Sequence, residues 1–141
     1  MTGGRSLGNR WHLGCAVCST VARGTRLLVA CDGPGSRAEW LRAIHELCGH
    51  ECLHSAWSVV IDARRLAWTP RIEDMHAICA CVRAEPHPGR PVAILSGPGA
   101  HYGAARQVAM WLQIDGLTVE AFQEELEAEA WLRVKGGGSQ S

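Results

Sequence analysis

Between Trp57 and Leu132, short apolar runs alternate with stretches whose apolar residues recur at helical spacing. The run Trp57-Ser-Val-Val-Ile-Asp62 is nearly continuous in apolar and β-branched residues, as expected of a strand covered on both faces. Pro91 to Leu95, within Arg90-Pro-Val-Ala-Ile-Leu-Ser96, predicts a second buried strand, and Leu117–Phe122 a third. Between the first two, Ile72, Met75, Cys79 and Val82 form the apolar stripe of a helix. Thr69-Pro70 announces that helix and Glu85-Pro-His-Pro-Gly89 stops it. A further helix is predicted from about Ala100 to Gln113, with Ala104, Ala105, Val108, Met110, Trp111 and Leu112 as its apolar surface and Gly116 as its breaker. The last helix is predicted over Gln123–Val134. Glu124 and Glu125 sit near its positive end, and Arg133 and Lys135 near its negative end, as the helix dipole favours.

Upstream of this alternation, Trp11–Cys18 and Thr25–Cys31 read as a β-hairpin around Arg23-Gly24. Asp32-Gly-Pro-Gly35 is a turn, and Ser36-Arg-Ala-Glu39 is a capping box that opens a helix. Trp40, Leu41, Ile44, Leu47 and Cys48 line one face of it, and Gly49 ends it. The predicted order is β-β-α-β-α-β-α-β-α, an α/β domain with a single mixed, mostly parallel sheet packed with helices. Its predicted extent is residues 11–134, between a flexible N-terminus at 1–10 and a flexible Gly/Ser tail at 135–141.

Composition narrows the function classes. The chain has 141 residues, 47% hydrophobic and 20% charged, which suits one soluble domain. Lys+Arg and Asp+Glu both number 14, so the net charge is zero, which argues against a nucleic-acid binder. Acids gather toward the C-terminus at Glu120, Glu124, Glu125, Glu127 and Glu129, as a solvated face or an acidic docking face. No apolar run approaches the ~20 residues of a membrane span, and the N-terminus lacks the apolar core of a signal peptide. A cytoplasmic location is expected. The seven cysteines are then mostly thiols acting as small buried hydrophobes.

The element order, together with Val59-Val-Ile-Asp-Ala-Arg64, Tyr102-Gly-Ala-Ala-Arg106, Val119-Glu-Ala-Phe122 and Ala130-Trp-Leu132, resembles the small bacterial STAS-like proteins. These are relatives of the anti-sigma-factor antagonist domain and are also compared with CRAL-TRIO lipid-carrier folds. The resemblance runs over roughly residues 12–134. It implies a non-catalytic regulatory or protein-interaction domain, sometimes with an apolar ligand, and hence a protein partner or a small apolar molecule. One departure stands out. The antagonists carry a phosphorylatable serine in the corner after the Asp strand, whereas here that corner reads Leu66-Ala-Trp-Thr-Pro-Arg71. Its single hydroxyl, Thr69, precedes Pro70 and suits an N-cap. The phosphoswitch serine is therefore expected to be absent.

The loops after parallel strands share one edge of a sheet, where ligands bind in α/β folds. That edge would gather Asp62, Arg64, Trp68, Thr69, Ser96, His101, Tyr102 and Arg106 as a ligand- or partner-binding rim. The same residues also fit a plain glycine-rich turn and a strand-to-helix ion pair through Asp62. Ser96-Gly-Pro-Gly99 is not a phosphate loop and lacks its lysine. A denser set of metal-type ligands lies at His45-Glu-Leu-Cys48-Gly-His50-Glu-Cys52-Leu-His54, beside Cys15-x-x-Cys18. It invites a zinc or thiol-redox reading. Against that, Cys15 and Cys18 face opposite sides of an extended strand, and Cys48 belongs to the apolar helix face. No metal site and no cofactor is expected. With no Gly-x-Ser-x-Gly, no His-Glu-x-x-His and no rim pair of carboxylates, no enzyme is expected either.

Overall fold

The computed structural model describes residues 10–13, 16–20, 26–31, 35–49, 57–84 and 90–140. Its elements are β1 (Arg10–Leu13), β2 (Ala16–Thr20), β3 (Arg26–Ala30), α1 (Arg37–Cys48), β4 (Ser58–Ala63), α2 (Ile72–Ala84), β5 (Val92–Ser96), α3 (Ala100–Ile114), β6 (Val119–Phe122) and α4 (Glu125–Gln140). The strands form one sheet in the order β1-β2-β3-β4-β5-β6. β1, β2 and β3 pair antiparallel, and β3 to β6 pair parallel, so the α/β class with a mixed, mostly parallel sheet is what the chain adopts.

The antiparallel pair expected on either side of Arg23-Gly24 is present as β2 and β3, but the first apolar run is not a single strand. It makes two strands, with Leu13 opposite Ala16. Two antiparallel strands thus stand in a segment whose apolar character alone reads as one strand. The C-terminal helix also runs on to Gln140, through most of the segment expected to be a flexible tail. Extending an existing helix needs only one new hydrogen bond per residue, and glycine costs only about 1 kcal/mol against alanine there. The expected flexible N-terminus, residues 1–9, lies outside the described residues.

Three parallel crossovers, β3-α1-β4, β4-α2-β5 and β5-α3-β6, each advance by one strand in the same direction. At a constant hand this lays all three helices on one face of the sheet. The apolar clusters show the result. Leu27, Val29 and Val59 pack with Trp40, Ala43 and Leu47 of α1. Val92, Ile94 and Val119 pack with Cys79 of α2 and Val108, Ala109 and Leu112 of α3. The alternate strand positions, Leu28, Val60, Ala93, Leu95 and Phe122, face the other way onto Ala128, Trp131 and Leu132 of α4. The sheet is thus covered by three helices on one side and one on the other. Among the described residues, no helix is long and apolar enough to cross a membrane.

Local signals fix the helix ends. The Ser36 Oγ accepts from the Glu39 N–H at 3.1 Å, and a Glu39 carboxylate oxygen accepts from the Ser36 N–H at 2.7 Å, which completes the expected capping box. Helix α3 ends in a Schellman motif. The Gly116 N–H donates to Gln113, and the Leu117 N–H donates to Leu112. Gly116 holds φ +88°, which only glycine adopts freely, and Leu112 and Leu117 meet in the core beneath it.

Helix α2 does not use Thr69 as its cap. It begins at Ile72, and Thr69 is exposed in the preceding loop. The Asp74 carboxylate, in the first turn, reaches back to accept from the Arg71 N–H at 2.9 Å. The same oxygen accepts from Arg37 Nε at 2.8 Å, tying α2 to α1. Arginine at the residue before the helix offers no acceptor, so the carboxylate three residues on takes that role. Asp74→Ala is expected to lower the unfolding free energy by about 2 kcal/mol, because it strands a half-buried arginine and a backbone donor. Thr69→Ala is expected to change it by less than about 0.5 kcal/mol. Urea denaturation of the two variants checks this, and equal losses would contradict the assignment of the cap.

Candidate functional site

The strand order never reverses within the parallel part of this sheet. A doubly wound sheet opens its ligand crevice where the order reverses. The concave feature of this chain lies elsewhere, between the sheet and the layer formed by α1, α2 and α3. It is a cavity of about 190 Å³. Its floor is the helix-facing row of the sheet, with Val29, Val59, Ile61, Ala63, Val92 and Ile94. Its roof is the helices, where Ala43, Ala104 and Ala105 stand at positions a longer side chain would fill.

The exposure of the floor records this gap. Ile61, Val92 and Ile94 lie on strands with a neighbour on either side and helices above, yet they are only half-buried. Leu27 and Val59, beneath Trp40, are fully buried by contrast. The helix layer closes tightly at two places, around Trp40 on one side and around Cys79 and Val108 on the other, and stands off between them. Two indole N–H groups of the cavity wall, on Trp40 and Trp68, are buried without a hydrogen-bond partner. A buried donor left unmade costs about 1–3 kcal/mol.

The residues expected on one rim fall into separate groups. Trp68, Ser96 and His101 do come together, at the end of the cavity by the carboxyl ends of the strands. A His101 ring nitrogen (Nε2) lies 3.2 Å from the Trp68 carbonyl oxygen, and Ser96 Oγ donates to the Gly97 carbonyl at 3.0 Å. The Arg37 guanidinium lies 5.1 Å from the Trp68 ring centroid and holds the indole from the α1 side. Thr69 is exposed and does not line the cavity. Tyr102 and Arg106 share a helix face as expected, with the guanidinium 6.0 Å from the ring centroid, but neither lines the cavity.

Asp62 and Arg64 belong to the opposite side of the sheet. Asp62 alternates with Ile61 and so shares the face of Val60, which α4 covers. Arg64 grips the Asp62 carboxylate with two side-chain nitrogens, at 2.9 and 2.7 Å, and lies 3.7 Å from Glu125 at the start of α4. The Asp62 pair is thus local, joining the end of β4 to the turn after it, and Arg64 is the member that approaches a helix, at Glu125. Gly99, at φ +71°, begins α3 with no side-chain cap, as the glycine-rich turn requires.

Nothing in the hydrophobic pattern marks Ala43, Ala104 and Ala105 as cavity walls, nor Arg90, which also lines the cavity. The run Gly103-Ala-Ala105 was the available signal, since small residues on an apolar stripe leave room. Within the Cys/His-rich segment, residues 50–54 lie outside the described residues, as does Cys15. Of the remainder, His45 Nδ1 lies 3.6 Å from Cys81 Sγ, across α1 and α2. Among the described residues, no three Cys, His, Asp or Glu side chains gather as a metal site would require. Cys31 and Cys48 line the cavity as buried thiols, and burial pushes the Cys79 thiol up, away from the reactive thiolate.

Comparison with protein-family models, curated proteins and solved structures returns no match for this chain. The nature of the site therefore rests on its shape and chemistry. The wall is apolar almost throughout, with Arg90, Ser96 and His101 as its polar side chains. Such a space can hold a small apolar body and orient it at its ends.

The bidentate hydrogen bonds from Arg64 hold the Asp62 carboxyl below the usual carboxylate range, against a smaller opposing effect of burial. A carboxyl with a depressed folded pKa adds stability above its unfolded value and loses it as pH falls through the folded one. The pair is partly solvated, so its worth at neutral pH is about 1 kcal/mol or less. Asp62→Asn is expected to lower stability by that amount at pH 7 and by nothing at pH values below the depressed pKa. Thermal unfolding across pH checks this, and a penalty that persists in acid would contradict it.

Proposed function

We propose that this chain is a non-catalytic binding module that holds one small apolar or amphipathic molecule between its sheet and helices α1 to α3. The observation that carries this reading is the cavity of about 190 Å³ with an apolar wall in the middle of the domain. Protein interiors are close-packed, with few voids larger than a water molecule. A wall of this kind lacks partner atoms across the space and forfeits their dispersion contacts. Water does not offset the loss, because an apolar wall offers few hydrogen bonds, and a dry cavity of about 150 Å³ already accepts benzene. An occupant of one ring or a short alkyl chain would recover the lost packing.

The regulatory docking role implied by the likeness of the sequence to STAS-like proteins is a second reading. It has its own support at α4. Leu126 and Val134 project from that helix 83% and 78% exposed, Leu126 among Glu124, Glu125 and Glu127 and Val134 between Arg133 and Lys135. Under this reading, cross-linking of the intact chain in its own cells recovers a protein partner through Leu126. An unchanged cross-link pattern for Leu126→Lys would count against it. Docking at α4 and binding under α1 to α3 use opposite faces of the sheet, so the two are compatible.

The test of the main reading is direct. Octanol is expected to bind in a 1:1 ratio by calorimetry, to perturb tryptophan fluorescence and to raise the unfolding temperature. Ala105→Leu, which extends a helix-favouring side chain into the space, is expected to weaken octanol binding by about tenfold or more while leaving stability equal or higher. Absence of both a bound ligand and a thermal shift in the wild-type chain would overturn the reading.

A further inference from the structure

We infer that the occupant is a neutral molecule with an acceptor oxygen, a small ketone or ester, whose oxygen is held by the indole N–H groups of Trp40 and Trp68. This rests on the cavity being a ligand site, and it adds the chemical class and direction of the ligand. Trp40 and Trp68 both line the cavity, and both indole N–H groups are buried without a hydrogen-bond partner. Trp40 is only 1% exposed, so solvent does not serve its N–H either. Trp68 is held by Arg37 against its ring and by His101 at its carbonyl, and neither contact uses the indole N–H. Buried donors in native structures are almost always paired. Two unpaired donors on the wall of one space are therefore what an occupant has to answer. Water answers them poorly, because a buried water needs about two to four polar partners and this wall is apolar.

The position of the two donors sets the direction. Trp40 belongs to the apolar cluster that joins α1 to Leu27, Val29 and Val59, and Trp68 packs against that cluster. On the α3 side the wall is Ala104, Ala105, Val108 and Leu112, none of which has a polar side-chain atom. The oxygen thus lies toward α1 and the hydrocarbon toward α3. The donors also select the class. An indole N–H donates and cannot accept, so its partner must be an acceptor. A ketone or ester carbonyl accepts through two lone pairs and brings no donor. A hydroxyl brings a donor that then needs its own partner beside apolar surface, and a carboxylate brings a charge that costs far more to bury. Arg90, the guanidinium of the wall, is already engaged within the protein. The volume limits the rest of the molecule to a short alkyl chain or a single ring.

Acetophenone and α-methylstyrene separate this inference from the reading beneath it, because they share one shape and differ only in a carbonyl against a methylene. Each is titrated into the isotope-labelled full chain, and the assigned indole N–H signals are followed by NMR. Both ligands are expected to bind. Acetophenone is expected to move the Trp40 or Trp68 indole proton downfield well beyond any shift that α-methylstyrene causes there. Trp40→Phe and Trp68→Phe each keep a ring and remove one donor. The variant at the indole that moved is expected to weaken acetophenone about fivefold more than α-methylstyrene. Equal shifts from the two ligands at both indoles, or equal weakening in that variant, would overturn the inference and leave the apolar site standing. Binding of α-methylstyrene alone would do the same. Binding of neither ligand would overturn the site and the inference together. Should that variant fail to fold, the comparison of shifts in the wild type decides alone.

Discussion

The structure depends on how three helices cover one face of four parallel strands while touching it firmly at only two places. Trp40 closes the first, over Leu27, Val29 and Val59. Cys79, Val108 and Leu112 close the second, over Val119. Val92 is shared by both clusters, so they form one layer rather than two separate cores. Between these contacts the helices are held at a fixed height by their neighbours, and the short side chains of Ala104 and Ala105 line the space. The cavity is a consequence of that suspension. The close-packed ends supply the rigidity that keeps the middle from collapsing, because a packed interior deforms little.

The other face shows what the same sheet does when it is filled. There α4 alone covers Val60, Ala93 and Leu95 through Ala128 and Leu132. Arg26 Nη1 donates to both carboxylate oxygens of Glu129 and ties the start of β3 to α4, and Arg64 lies near Glu125. The acidic residues near the C-terminus are thus partly structural. This side carries the conventional ion pairs, and the opposite side carries the space. Such a division suits a binding module, since one face secures the fold and the other can give up packing to an occupant.

Much of this architecture was legible in the chain. The Ser36–Glu39 capping box, the buried strands at Val59–Ile61 and Val92–Leu95, and the stop at Gly116 are local signals, and each acts where its own residues stand. The division of the first apolar run into β1 and β2 was not legible, because its apolar character continues on both sides of Gly14. Nor was the cap of α2, where a side chain inside the helix outcompetes the hydroxyl before it. The rim expected from Asp62, Arg64, Trp68, Thr69, Ser96, His101, Tyr102 and Arg106 does not form one site, since only Trp68, Ser96 and His101 line the cavity. Strand alternation sends Asp62 to one face and Ser96 to the other, and the edge they share does not unite them. The cavity itself is the least legible feature. Its walls come from residues as far apart as Val29 and Val119, and a filled interior has the same hydrophobic period as an unfilled one.

The central claim is that a dry, apolar, accessible space exists on the α1 to α3 side of the sheet and not on the α4 side. Xenon tests it most directly, because the atom has no polarity and enters such spaces without chemistry of its own. Methyl-resolved NMR of the chain under xenon pressure would follow Ile94 and Val108 on one face and Val60 and Leu132 on the other. Saturable shifts at Ile94 and Val108, with Val60 and Leu132 unmoved, are the predicted result. Shifts absent from Ile94 and Val108, or equal on the two faces, would contradict the account.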